Sequence, residues 1–103
     1  MTISGPTPDR PTYESDLKRS IDLFEKSFQN VQTSQFDAQK DQYVKVMHES
    51  LKTIQESASG LLNSKIREMK EQLSQDLDTY LASPTDETKE KVQKDISQIK
   101  REV

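Results

Sequence analysis

The chain has 103 residues, of which 30% are apolar and 32% charged, with a net charge of −3, two glycines and neither cysteine nor tryptophan. That supply leaves room for one domain and is too polar for a thick globular core. Lack of cysteine excludes disulfides and thiolate metal sites, and evenly interleaved charge excludes a nucleic-acid footprint.

Few β-branched runs and a helical spacing of apolar residues argue for an all-α chain. A globular-bundle face over roughly 85 helical residues needs about 36 apolar positions and a coiled-coil seam about 24, and the roughly 31 present fall between the two. The expected architecture is an elongated antiparallel helical hairpin or bundle, completed by a second copy or a partner. No apolar run approaches a membrane span or a signal-peptide core, so a cytoplasmic chain is expected, with export without a cleaved signal peptide as the other route.

Residues 1–12 hold Pro6, Pro8, Pro11 and Gly5 without periodicity and read as a flexible leader ahead of a single helical domain over 13–103. Thr12 is the expected N-cap of a helix over 13–32. Its seam is Leu17, Ile21, Phe24, Phe28 and Val31, spaced 4, 3, 4 and 3. Phase is lost between Val31 and Phe36, where Ser34 and Asp37 have capping-box spacing, so a turn is expected there.

An apolar stripe then runs through Tyr43, Met47, Leu51, Ile54, Ala58, Leu62, Ile66, Met69, Leu73, Leu77 and Tyr80. Steps of three and four residues put these side chains on one helical face. The stripe keeps phase across Gly60, which predicts one long central helix over 36–82. The alternative is a four-helix bundle with a break at Gly60 serving as a helix C-terminus. The mean step of about 3.7 residues is nearer an eleven-residue repeat than a heptad, which disfavours a long two-stranded zipper. Ser83-Pro84-Thr85-Asp86 reads as N-cap, N1 and N3 of a last helix over 84–102, with Val92, Ile96, Ile99 and Val103 as its thin apolar side. The internal seams are expected at Leu17, Ile21, Phe24, Phe28, Leu51, Ile54, Ile66, Leu73, Leu77, Val92, Ile96 and Ile99.

Chemistry is sought without result. His48-Glu49-Ser50-Leu51-Lys52 starts like a zinc-protease helix, but Lys52 stands where the second histidine belongs. No phosphate-cradling glycine loop and no nucleophile elbow occur, and no catalytic, cofactor-binding or metal-ligating residue is assigned. Asp76 and Asp78 lie two apart and face different ways, although a carboxyl dyad between helices stays open. The basic residues around Lys65, Arg67 and Lys70 and from Lys89 to Arg101 interleave with glutamates, as on a solvated face. The expected function is therefore a non-enzymatic helical interaction module, an adaptor, small chaperone or assembly subunit. Leu23, Val44, Val46, Leu61 and Leu81 flank the seam as the partner surface, and self-association is the first partner to expect. The alternative is an amphipathic coat on a lipid or granule surface. The stripe's near-eleven-residue period is similar to that of exchangeable apolipoproteins, and the Gln-rich, low-Gly texture of residues 36–103 resembles granule-coating phasins, which implies surface coating.

Overall fold

The computed structural model describes residues 10–103, with side chains from Thr12 onward. Among them the chain forms four α-helices and no strand: α1 (Arg10–Thr33), α2 (Asp37–Gly60), α3 (Ser64–Ala82) and α4 (Asp86–Arg101). Each helix packs on its sequence neighbours, and α1 closes the ring onto α4, while the diagonal pairs stay apart. This is an up-down-up-down bundle measuring 53 × 27 × 17 Å.

The long central helix is not formed. Helix α2 ends at Gly60, and α3 starts only after Leu61-Leu62-Asn63. The turn is a Schellman motif: Asn63 N–H donates to the Ala58 carbonyl (2.9 Å) and Leu62 N–H to the Ser59 carbonyl (3.1 Å). The left-handed residue it requires is Leu62, at φ 56°, and not the glycine. Gly60 serves close packing instead, since the end of the Tyr13 ring occupies the space a Cβ there would fill. Asn63 then caps α3, its side-chain oxygen accepting from Ile66 N–H at 3.1 Å. Only Leu62 carried the apparent phase from Ala58 to Ile66, and it is 91% exposed. A three-residue reversal fits inside two four-residue steps, so regular spacing survives a broken helix.

The other boundaries shift for similar local reasons. Residues 1–9 of the expected leader lie outside the described residues, and residues 10–12 already belong to α1, so Thr12 is not its cap. Pro11 falls in the first described turn, where a missing N–H costs nothing. Ser34 finishes α1 rather than capping α2, its hydroxyl donating to the Asn30 carbonyl at 2.7 Å. Helix α2 begins after Phe36 with no side-chain cap, and Asp37 supplies charge at its positive end. Helix α4 is capped at Thr85, not Ser83. Thr85 Oγ1 accepts from Thr88 N–H (3.1 Å), and Thr88 Oγ1 accepts from Thr85 N–H (2.9 Å).

The core lies along the bundle axis in two layers. One gathers Phe24, Phe28, Met47, Leu77, Tyr80 and Val92 with their neighbours, and the Phe28 and Tyr80 rings meet edge-to-face at 5.0 Å. The other gathers Leu17, Ile21, Ile54, Ala58, Ile66 and Ile99 at the end of the α2–α3 turn. Every residue expected on an internal seam is buried. Helices α1 and α2 form the most extensive pair. Ser20 and Ser27 on α1, and Ser50 and Ser57 on α2, are buried at seven-residue spacing, small side chains that let two backbones approach.

Two substitutions test this frame. Leu62→Gly removes left-handed strain without giving up burial and is expected to raise unfolding stability by about 0.5–1 kcal/mol in urea titration. Leu73→Asp places an unpaired carboxylate in the core and is expected to abolish the cooperative melt followed by circular dichroism.

Candidate interaction surface and a carboxyl pair between helices

The stripe from Tyr43 to Tyr80 is largely consumed by the chain itself: Met47, Leu51, Ile54, Ala58, Ile66, Leu73, Leu77 and Tyr80 are all buried within the bundle. What remains for a partner is the outer surface. The five flanking residues do not converge on one patch. Val44 and Leu81 are half-buried and both lean on the Phe28 layer, while Leu61 leans on the Ile66 layer at the opposite end. Val46 is half-buried, its carbonyl accepting from the Ser50 hydroxyl at 2.9 Å. Leu23 is 47% exposed on α1.

Two more exposed apolar side chains mark the bundle ends: Phe36, 65% exposed before α2, and Leu62 in the α2–α3 turn. Neither stands beside the stripe in sequence logic, because Phe36 looks like the resumption of a seam and Leu62 like a member of one. The signal that could have found them is their position next to a lost phase or a glycine, where a chain reversal turns an apolar residue outward.

Between α2 and α3 runs an open groove of about 540 Å³ lined by His48, Leu51, Lys52, Gln55, Lys70 and Asp78, among others. His48 is exposed there, one turn from Lys52. Among the described residues no three His, Cys, Asp or Glu side chains gather as a metal site, and no helix is long and apolar enough to cross a membrane. Three residues of the basic clusters form ion pairs: Lys65 with Glu102 (2.8 Å), Lys70 with Glu71 (3.1 Å) and Lys100 with Glu25 on α1 (3.0 Å).

Asp76 and Asp78 do diverge. Asp78 lines the α2–α3 groove, whereas Asp76 turns toward α4 and meets Asp95 within hydrogen-bonding reach. The Asp76 carboxylate also accepts from the Gln72 amide at 3.1 Å. The hydrogen bond with Asp95 holds Asp76 below the usual carboxylate range. Burial, followed by the hydrogen bond to Asp76 and its charge, pushes Asp95 up to about 7. Asp95 Oδ2 is shut off from solvent and has no donor. Two carboxyl groups in contact supply a donor only when one of them keeps its proton, which is how the pair can satisfy itself.

The half-buried and exposed flanking residues separate by mutation. Leu81→Asp is expected to cost about 1–3 kcal/mol in chemical denaturation because the side chain packs on the core, whereas Leu23→Asp stays within about 0.5 kcal/mol of the parent. Comparisons with protein-family models, with curated proteins and with solved structures give no match to this chain.

Proposed function

We propose that the protein is a non-enzymatic helical interaction module, an adaptor, small chaperone or assembly subunit acting in the cytoplasm, whose partner is another helical protein or a second copy of itself. The observation that carries this reading is Leu62. A leucine at φ 56° with 91% of its surface in water is strained and gains nothing from burial within its own chain. Glycine would serve the turn better, so the side chain is accounted for by a contact outside the chain. Leu61 beside it is half-buried, and the α2–α3 groove lined by His48, Leu51, Lys52, Gln55, Lys70 and Asp78 adds a second open surface on the bundle. Mixed charge along the groove, from Lys52 and Lys70 to Glu56 and Asp78, suits a partner helix that carries both signs. A lipid or granule coat needs a wide continuous apolar face, and here the stripe that would supply one is buried.

The test compares parent and Leu62→Gly proteins by light scattering for self-association, by affinity purification for partners and by vesicle flotation. Association should weaken at least tenfold in the variant while its fold becomes more stable, and neither protein should float with vesicles. Association that is indifferent to Leu62, or flotation of the parent protein, overturns the reading.

A further inference from the structure

Helix α4 holds to the bundle by a thin face of Val92, Ile96 and Ile99, and two cross-helix ion pairs bracket its last turn: Lys65 of α3 with Glu102, and Lys100 with Glu25 of α1. Across the α3–α4 seam, Asp76 also meets Asp95, near the middle of the hairpin. We propose that this carboxyl pair is a proton-operated latch that holds α4 against α3, closed when one proton is shared between the two groups and loosened when both are ionised. The inference does not depend on the interaction reading above.

The geometry sets up the switch. One oxygen of Asp95 is inaccessible to water and unpartnered, so an ionised Asp95 leaves a buried acceptor without a donor beside a like charge. A proton on Asp95 gives the pair the donor that two carboxylates lack. Other charges do little to replace it. On α4, the Lys94 charge favours ionised Asp95 but is outweighed by burial and Asp76, and Lys91 acts on Asp76. On α3, Lys65 is engaged by Glu102, and Glu68 adds a further negative charge to the same groove. Helix α1 meets α4 through Glu25 and Lys100, and α2 meets α3 across the groove of Lys52, Lys70 and Asp78.

The sign follows from linkage. An acid raised to about 7 in the folded hairpin, against 3.8 when exposed, keeps its proton between those values only while α4 is docked. Docking therefore weakens as pH rises from about 4 to about 7 and levels off above. Asp76, lowered from 3.8, contributes in the opposite sense only below that value.

The experiment is amide hydrogen exchange across the full chain from pH 5 to 8.5, expressed as protection factors, on the parent, Asp95→Asn and His48→Gln proteins. In the parent, protection of α4 amides should fall by about tenfold between pH 5 and 7 and stay flat to 8.5, the partial exposure of Asp95 keeping the change below the full linkage value. Asp95→Asn, whose amide donates to Asp76 at any pH, should keep high protection throughout. His48→Gln, a change in the α2–α3 groove away from the pair, should behave as the parent. A parent protein without this fall, or an Asp95→Asn protein that retains it, overturns the latch. Carbon-13 titration of the Asp95 carboxyl in the parent gives a check that needs no variant: a midpoint near 7 supports the proposal and one near 4 overturns it.

Discussion

Two helices joined by three residues must turn the chain back while giving partners to the carbonyls that the first helix leaves open. Here that requirement falls on Leu61, Leu62 and Asn63, whose amides answer Ser57, Ser59 and Ala58. The reversal brings Ile66, Leu73 and Leu77 back against the face already formed by Met47, Leu51 and Ile54. With the two halves of the stripe side by side, α1 and α4 need only close the outer edges. Both core layers draw on all four helices for this reason. Without the reversal, the same residues would line a rod of about 70 Å at 1.5 Å per residue, with far more apolar surface left to cover.

The core was legible in the sequence because helical periodicity reports directly which side chains face inward. The seams of α1 and α4, and both halves of the stripe, could be picked out position by position. Chain direction was less legible. A continuous helix and a tight reversal at Gly60 predict the same spacing from Ala58 to Ile66, and only the left-handed backbone of Leu62 separates them. Caps were misplaced for a related reason: Ser34 and Ser83 have the right chemistry, but Ser34 found the Asn30 carbonyl behind it, and Thr85 with Thr88 completed a reciprocal pair that Ser83 could not.

The candidate site divides the same way. Val44 and Leu81, distant in sequence, do share one end of the bundle, as flanking positions on antiparallel helices should. The Asp76–Asp95 pair was beyond the sequence's reach, because it depends on the relative register of α3 and α4, which no local pattern encodes. Exposed Phe36 and Leu62 look like seam residues until the turns that carry them are known.

The buried serines have a consequence of their own. Ser20, Ser27, Ser50 and Ser57 repeat every seven residues on the two most extensively paired helices. At such positions the seam sets an upper limit on size and is indifferent to chemical kind, since a methyl fits where a hydroxyl did and a larger group does not. The first hairpin can therefore exchange Ser for Ala at these four sites while its helices stay in register, whereas Gly inside a helix would cost about 1 kcal/mol at each. Among the described residues the second hairpin has no such row of buried small side chains, and its spacing is set by the larger Ile66, Leu73, Leu77, Val92, Ile96 and Ile99. The bundle thus joins one closely approached pair of helices to another held apart by bulkier side chains.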